Sequence, residues 1–349
     1  MTWLTSDNAG PAAPEVIAAV TAANAGYEKS YGADAIMARV TERIREIFEA
    51  PEASVHLVAT GTAANVLSLA TLVDPWNAIF CSDVSHVEWD ECGAPEFYSG
   101  GAKLVLLSGQ NGKIAPDALD TALAEGTSTD VHQVQRGAVS LTNATELGAV
   151  YGVDEVRALT ARAKAFDLPC HMDGARFANA IVAAGCSPAE MTWKAGIDVL
   201  SFGGTKNGCM GVEAVILFDP ARDWEFQLRR KRGAHLFSKH RFLSAQMEAY
   251  LADDLWLRLA RQSNDATARL AAGLRSAGAE ILYATDANIT FATFTVAEHK
   301  RLHDAGMQYY LMPHGANLDG ADTDRVACRL VTNWSTRDAE IDAFIAALR

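Results

Sequence analysis

"SFGGTKNG" (201–208) places one lysine, Lys206, in a small, hydroxyl-rich turn that follows the apolar run "IDVL" (197–200). The stretch does not match the phosphate-binding pattern GxxxxGK[ST] of a P-loop. A lysine at the end of a buried strand is partly removed from water, and a desolvated lysine is a nucleophile. The stretch therefore predicts a buried strand that carries a reactive lysine at its carboxyl end.

The same alternation of apolar runs and turns extends over the first two thirds of the chain. Seven short apolar segments alternate with helical patterns, and several are apolar on both faces, as in strands of a sheet covered by helices. The helical pattern is clear at 62–73 and at 153–167, where Val156, Leu159 and Ala163 form one stripe. The order predicts an α/β fold with a mostly parallel, seven-stranded sheet. The predicted strands are 54–60, 77–83, 103–109, 137–144, 168–174, 198–204 and 213–219.

Near residue 223 the sequence changes from alternating apolar segments to a charged, helical pattern, which indicates a second, smaller unit. A long, charged, helical stretch is followed by the β-like segments "ANITFATFTV" (287–296) and "RVACRLVTNW" (325–334) and by the helical "TRDAEIDAFIAAL" (336–348). We interpret this part as a smaller α+β domain. The predicted organisation is an N-terminal arm and large domain, residues 1–245, and a small C-terminal domain, residues 246–349.

Composition excludes several function classes. The 349 residues carry a net charge of −13, which argues against nucleic acid as the main partner because phosphate binding leaves a basic footprint. The six cysteines show no CxxC pair and no Cys/His metal spacing, so we expect reduced, buried thiols and no metal site. The N-terminus lacks the features of a signal peptide, and no run approaches the length of a membrane helix. These features predict a cytoplasmic protein without membrane contact.

Three further motifs place chemically active residues after predicted strands. In "VATGTAAN" (58–65), Gly61 and Thr62 begin a helix whose N-terminus can hold a phosphate, although Thr62 also fits an ordinary N-cap. In "HMDGARFANA" (171–180), Asp173 either keeps a pyridine nitrogen protonated or forms a structural ion pair with Arg176. In "CSDVSHVEWDECG" (81–93), His86 is either a loop residue or a ring that stacks on a flat cofactor.

Together these motifs indicate one site. In open α/β sheets, ligands bind beyond the carboxyl ends of the strands, so residues that follow different strands converge there. A phosphate cradle, a stacking ring, a carboxylate and a lysine are the groups that pyridoxal 5′-phosphate requires. Lys206 follows Asp173 at a distance that leaves room for a helix and one strand.

Over nearly its full length the chain resembles the fold type I pyridoxal-phosphate enzymes, whose large domain is similar to that of aspartate aminotransferase. Within them it is most similar to the low-specificity L-threonine aldolases of the β-eliminating lyase superfamily, including relatives that act on phenylserine-type substrates. The pair "HMDGAR" and "GGTKNG" is the most specific part of the resemblance. Other matching stretches are "TSDNAG" (5–10), "YGAD" (31–34), "ATGTAAN" (59–65), "SHVEWDECGA" (85–94), "HQVQRGAVSLTNATELG" (132–148) and "CRLVTNW" (328–334).

The resemblance implies a role for each matching residue. Lys206 would bind the cofactor covalently, Asp173 would pair with the pyridine nitrogen, and His86 would stack on the ring. A basic residue would reach a neighbouring cofactor's phosphate, Arg241 first and then Arg232, although this basic stretch also fits a solvated helix face. The implied sets are Lys206, His86, His132 and Asp173 for catalysis; Gly61, Thr62, His86, Asp173, Arg176, Lys206 and Arg241 for the cofactor; and Ser6, His132, Arg176 and Arg329 for the substrate, with His132 near the β-hydroxyl.

The implied reaction is retro-aldol cleavage of L-threonine, L-allo-threonine and related β-hydroxy-α-amino acids to glycine and an aldehyde. The implied assembly is a homotetramer or homodimer with shared active sites. The choice between His86 and His132 as the base stays open, and "TNAT" (142–145) departs from the "ENTH" of some relatives. A β-eliminating lyase, an aminotransferase and a non-enzymatic ligand sensor also remain open. A nucleotide-binding dehydrogenase is not indicated, because no predicted strand is followed by GxGxxG.

Overall fold

The architecture consists of a large sheet with helices on both sides and a smaller sheet near the C-terminus. It is given by a computed structural model that describes residues 2–126 and 129–349. The strands are β1 Thr2–Trp3, β2 Ser54–Val58, β3 Asn77–Ser82, β4 Lys103–Leu107, β5 Gln135–Thr142, β6 Cys170–Gly174, β7 Val199–Gly203, β8 Glu213–Leu217, β9 Glu280–Ile281, β10 Ile289–Thr295, β11 Met307–Gln308, β12 Tyr310–Met312 and β13 Arg325–Val331.

The helices lie mainly between the strands of the large sheet, as the alternation predicts. They are α1 Pro14–Ala23, α2 Ala35–Ile47, α3 Gly61–Leu72, α4 His86–Trp89, α5 Ala94–Ser99, α6 Pro116–Glu125, α7 Val153–Lys164, α8 Phe177–Ala184, α9 Pro188–Met191, α10 Asp223–Arg232, α11 Arg241–Leu251, α12 Leu255–Ser276, α13 Val296–Asp304 and α14 Asp338–Leu348. The stripe predicted for 153–167 is confirmed, because Val156, Leu159 and Ala163 are all buried on α7.

The large sheet contains all seven predicted strands, in the order β2-β8-β7-β6-β5-β3-β4. Neighbouring strands from β7 to β4 are parallel, whereas β8 runs antiparallel to both β7 and β2. The carboxyl ends of β2, β5, β6 and β7 therefore lie at one edge of the sheet. Because β8 is reversed, its first residue, Glu213, lies at that same edge.

Helix α3 begins at this edge, packs against the large sheet and is buried from Ala63 to Leu72. Its N-cap is Thr60, whose Oγ1 accepts the N–H of Ala63 at 3.1 Å. The alternative interpretation of Thr62 as the N-cap is therefore wrong, and Thr62 lies within the first turn of α3. Because Thr60 caps the helix, the Thr62 hydroxyl takes no part in the cap.

The C-terminal part is built on an antiparallel sheet in the order β12-β13-β10-β9, with α12, α13 and α14 packed around it. The N-terminal arm joins this part, because β1 pairs in parallel with β11, Thr2 opposite Met307. This pairing positions the residues that follow β1 beside the large sheet. The division of the chain near residue 245 stays a prediction, and α11 spans that position.

The six cysteines are unpaired. Cys81, Cys170, Cys209 and Cys328 are buried as expected, but Cys92 is exposed and Cys186 is half-buried, so the expectation of buried thiols is wrong for these two. Across residues 2–126 and 129–349, no helix combines the length and the apolar character needed to cross a bilayer.

An aromatic cluster at the centre of the main core gives the first testable prediction. The Phe202 side chain, fully buried on β7, lies with its ring centroid 5.6–5.9 Å from those of four other aromatic side chains, Phe48, Phe177, Tyr250 and Trp256. We expect Phe202→Ala to lower the free energy of unfolding by about 3–5 kcal/mol, because it removes buried apolar surface and leaves a cavity.

Urea denaturation of the cofactor-free protein measures this effect. Phe97→Ala is the matched control, because Phe97 is 79% exposed and its replacement should change the free energy of unfolding by less than about 0.5 kcal/mol. Equal destabilisation by the two substitutions would contradict the assignment of Phe202 to the core.

Candidate active site

A pocket of about 400 Å³ opens at the edge where the strands of the large sheet end. This volume is within the range of small-molecule sites. The pocket is lined by Asn8, Ala59, Thr60, Gly61, Thr62, Asn65, His86, Thr142, Ala144, Glu146, Asp173, Ala175, Arg176, Thr205, Lys206, Met210, Gly211 and Glu213. It brings together six of the residues predicted for the site, namely Gly61, Thr62, His86, Asp173, Arg176 and Lys206.

Lys206 lies on a 3₁₀ turn, Thr205–Asn207, directly after β7. Close backbone contacts require glycine at the two positions before this turn. A Cβ on Gly203 would lie 2.3 Å from the Ala175 carbonyl oxygen, and a Cβ on Gly204 would lie 2.7 Å from the Val212 carbonyl oxygen. Burial lowers the pKa of Lys206, and Arg176 lowers it further against the opposing charges of Asp7, Asp173 and Glu213. The amine is therefore more readily neutral, and more nucleophilic, than an exposed lysine.

Asp173 lies near the end of β6 and faces the same pocket. Its Oδ1 accepts the N–H of Ala175 at 2.9 Å, and its Oδ2 accepts an N–H of the Asn65 amide at 2.9 Å. Burial raises the pKa of Asp173, but the charges of His86 and Lys206 outweigh it, so the pKa lies below its ordinary value. Asp173 is thus a buried, fixed negative charge. The alternative of an Asp173–Arg176 ion pair is wrong, because Arg176 pairs elsewhere.

His86 begins α4 and is oriented by Glu91, a residue that the sequence analysis did not identify. The ring Nδ1 of His86 lies 2.8 Å from Glu91 Oε1, which also accepts an N–H of Asn65 at 2.9 Å. Burial lowers the pKa of His86, but the hydrogen bond to Glu91 and the charge of Asp173 outweigh it and leave the pKa above its ordinary value. Asn65 therefore links the carboxylates of Asp173 and Glu91 in one network.

Arg176 is held by a buried ion pair with Asp7, on the N-terminal arm. Its Nε donates to Asp7 Oδ2 at 2.7 Å and its Nη2 donates to Oδ1 at 3.0 Å, and Asn288 also donates to Asp7. Ser6 precedes this carboxylate in the chain, and Arg329 donates to the backbone oxygen of Thr5 at 3.3 Å. Arg329 Nε is buried without a hydrogen-bond partner among the described residues. The predicted trio of Ser6, Arg176 and Arg329 therefore lies together around the arm.

The N-terminus of α3 faces the pocket with Gly61 and Thr62. The first N–H groups of a helix have no intrahelical acceptor, and the helix dipole there favours negative charge. A Cβ placed on Gly61 would meet no protein atom within 4 Å, so open space borders this backbone. The arrangement offers a cradle for an anion such as a phosphate.

His132 and Arg241 do not lie in this pocket. His132 is exposed and precedes β5, whereas Thr142, at the other end of that strand, lines the pocket. The strand itself is about 23 Å long at 3.3 Å per residue. Arg241 begins α11 and donates to the Gly26 carbonyl oxygen at 3.0 Å. Arg232 lines a separate surface groove beside Phe97. Within one chain none of these three residues lines the pocket that contains Lys206.

Two buried acids of the pocket were missed by the sequence analysis. Glu146 Oε1 accepts the backbone N–H of His86 at 2.6 Å, and Glu213 Oε2 accepts the N–H of Gly204 at 2.7 Å. Burial raises the pKa of Glu146 to about 7, with a further contribution from Asp173, and burial also raises the pKa of Glu213 to about 7. A signal for Glu213 was present in the sequence, since a glutamate at the start of the apolar run "EAVILFD" (213–219) is unusual for a buried strand.

The residues present fit pyridoxal phosphate. The open cradle at Gly61, the buried Asp173 carboxylate and the nucleophilic Lys206 supply an anion site, a partner for a pyridinium nitrogen and an attachment point within one pocket. In the described part of the chain, no group of three or more histidine, cysteine, aspartate or glutamate side chains is arranged to hold a metal ion.

Comparison with known proteins identifies relatives along the whole chain. Residues 4–297 match the beta-eliminating lyase family. A low-specificity L-threonine aldolase of a Pseudomonas species is 39% identical over 99% of this chain and 96% of its own length, and one from Pseudomonas aeruginosa is 43% identical over 87% and 88%. The structure of Leishmania major threonine aldolase superposes with a TM-score of 0.92 at 26% identity, covering 100% of this chain and 98% of that one. The expected fold class is thereby confirmed.

Proposed function

Because the chain belongs to the beta-eliminating lyase family, with close relatives among the low-specificity L-threonine aldolases, we propose that it cleaves L-threonine and L-allo-threonine to glycine and acetaldehyde. Related β-hydroxy-α-amino acids are cleaved to glycine and the corresponding aldehyde, and the reaction is reversible. The observation that carries the proposal is the convergence of Lys206 and Asp173 on one pocket.

We assign pyridoxal 5′-phosphate to this pocket as the cofactor. Gly61 and Thr62 would hold its phosphate, Lys206 would attach it covalently, and His86 would lie against its ring. When bound, the cofactor acts as an electron sink that stabilises negative charge at the substrate Cα. Asp173 would keep the ring nitrogen protonated, since its depressed pKa maintains a negative charge there.

The substrate carboxylate is proposed to bind at Arg176 and Arg329, with Ser6 nearby. Asp7 engages Nε and Nη2 of Arg176 and so fixes the plane of the guanidinium. An arginine held in this way can grip a carboxylate with parallel hydrogen bonds, which fixes the orientation of the amino acid. Orientation by the carboxylate decides which bond to Cα is broken.

His86 is proposed to accept the β-hydroxyl proton, directly or through a water molecule. Its Nδ1 is engaged by Glu91, so Nε2 is the nitrogen available for this role. Glu91 then stabilises the positive charge that forms on the ring. His132 is too far from Lys206 of its own chain for this role, so any contribution by His132 is proposed for a neighbouring subunit's site.

We propose a homotetramer or homodimer with shared sites, in the cytoplasm. His132 and Arg241 do not line the pocket of their own chain, which supports sharing. His132 is exposed, and Arg241 would exchange its contact with the Gly26 carbonyl oxygen for one in another subunit. The unpaired cysteines support a reducing compartment.

The test is incubation of the purified protein with L-threonine or L-allo-threonine, with and without added pyridoxal phosphate. We expect equal amounts of glycine and acetaldehyde. A β-eliminating lyase would instead release ammonia and 2-oxobutanoate, and an aminotransferase would convert the cofactor to its amine form with an amino acid alone. Either of these results would contradict the aldolase proposal.

A further inference from the structure

Glu213 lies between β2, which leads to the proposed phosphate cradle, and β7, which leads to the lysine turn. In the strand register it is opposite Gly203 of β7 on one side and opposite Val58 of β2 on the other. Gly203 leads into the turn that carries Lys206, and Val58 leads through two residues to Gly61 at the start of α3. The side chain of Glu213 lines the pocket at this junction.

The carboxyl group of Glu213 is held by the lysine turn. Its Oε2 accepts the N–H of Gly204 at 2.7 Å, and the Thr205 side chain also hydrogen-bonds to it. The residue is only 5% exposed and is part of the pocket lining. These hydrogen bonds hold the carboxyl group at the lysine-turn side of the pocket, which also contains Gly61 and Thr62.

The charges around Glu213 decide its protonation state. The titratable groups that face it are Lys206, Cys209 and Tyr250. Burial raises the pKa of Cys209 and of Tyr250 well above the ordinary values, so both are neutral near pH 7. Lys206 is the one cation among these neighbours, and burial still raises the pKa of Glu213 to about 7.

An ionised Glu213 is incompatible with a second anion beside it. A phosphate in the cradle brings two negative charges, and like charges in a buried site favour protonation of the weaker acid. A protonated carboxyl group gains an O–H donor in addition to its acceptor oxygen. Phosphate and a neutral Glu213 are therefore complementary: the acid donates one hydrogen bond to a phosphate oxygen, and an initially ionised Glu213 first takes a proton from solvent.

We propose that Glu213 is a phosphate-binding residue of this pocket and that it binds as the neutral carboxylic acid, whose hydroxyl donates to a phosphate oxygen. The proposal rests on the proposed function, since the phosphate is that of pyridoxal phosphate. It follows that phosphate binding above pH 7 requires Glu213 to take up one proton. Affinity for the phosphate then falls as pH rises.

The test uses pyridoxine 5′-phosphate and pyridoxine as ligands of the cofactor-free wild-type protein between pH 7 and pH 9. Neither ligand has an aldehyde, so neither reacts with Lys206, and both share the same ring. The phosphate itself is already dianionic over this range, because its second pKa is about 6. We expect the affinity for pyridoxine 5′-phosphate, relative to that for pyridoxine, to fall at least about tenfold between pH 7 and pH 9.

Glu213→Gln supplies the matched variant, because an amide of the same shape donates a hydrogen bond at every pH. We expect its affinity ratio to fall at least about tenfold less than that of wild type between pH 7 and pH 9, and at pH 9 its affinity for pyridoxine 5′-phosphate to exceed that of wild type at least about tenfold. Glu146→Gln is the control, because it removes an acid with a similarly raised pKa from the His86 end of the pocket. It should retain the wild-type pH dependence of the ratio.

A wild-type affinity ratio that stays constant or rises with pH would overturn the role of Glu213, and this measurement needs no variant to fold. A Glu213→Gln protein that loses affinity for pyridoxine 5′-phosphate equally at every pH would also overturn it, since Glu213 would then act as a carboxylate. Both results leave the aldolase proposal intact. Failure of pyridoxine 5′-phosphate to bind at any pH would instead overturn the proposed function together with this inference.

Discussion

Replacing Lys206 with alanine is expected to lower glycine and acetaldehyde formation from L-threonine by at least about a thousandfold. The turn after β7 delivers this amine to the pocket, and burial and Arg176 lower its pKa. Without it the cofactor has no covalent attachment and no nearby amine to transfer protons. The measurement is the initial rate of acetaldehyde release at saturating cofactor.

Two further variants separate the chemistry of Lys206 from its charge. Lys206→Arg keeps a positive charge but not a nucleophile, so it should be as inactive as the alanine variant. Lys194→Ala removes a surface lysine that pairs with Glu49 at 2.6 Å, and it should retain wild-type activity. Substantial turnover by Lys206→Arg would show that charge alone suffices and would contradict the assignment of the nucleophile.

Replacing Asp173 with asparagine is expected to lower kcat by about a thousandfold while the cofactor still binds. The substitution removes the buried negative charge that would keep the ring nitrogen protonated. It also creates a conflict of donors, because both carboxylate oxygens now accept N–H groups, from Ala175 and Asn65. Steady-state kinetics and titration of the cofactor-free protein with pyridoxal phosphate measure the two effects separately.

Asn65→Ala is the control for that experiment. It removes the hydrogen bonds that orient Asp173 and Glu91 but leaves both carboxylates in place. We expect a loss in kcat of about tenfold, consistent with a misplaced rather than a missing charge. Retention of the wild-type kcat by Asp173→Asn would eliminate the role of Asp173 as the partner of the ring nitrogen.

The sequence predicted the large sheet because each strand carries its own local signal. Both faces of these strands are covered by helices, so their apolar runs are continuous and end at recognisable turns. The reversal of β8 left no such signal, because a buried antiparallel strand has the same apolar composition as a parallel one. Strand direction therefore became visible only in the register of β8 with β7 and β2.

The site residues that the sequence predicted carry a local signal, whereas Asn65 and Asp7, which it missed, do not. Lys206, Asp173 and His86 lie at or shortly after the carboxyl ends of strands, so the topology brings them to one edge. Asn65 bonds to Asp173, 108 residues away, and Asp7 bonds to Arg176, 169 residues away, and nothing local to either residue indicates those partners. His132 matches its motif, but β5 places it outside the pocket of its own chain, so its role stays a prediction for a neighbouring subunit's site.

The assignment of Lys206 as the lysine that binds pyridoxal phosphate is tested by mapping where the cofactor attaches. The cofactor-free protein is mixed with pyridoxal phosphate, reduced with borohydride and digested with trypsin, and the labelled peptide is identified by mass spectrometry. Attachment to Lys206 blocks tryptic cleavage after this lysine, so we expect one labelled peptide, residues 195–222. Label on another lysine, or no label under conditions in which pyridoxal phosphate is bound, would contradict the account.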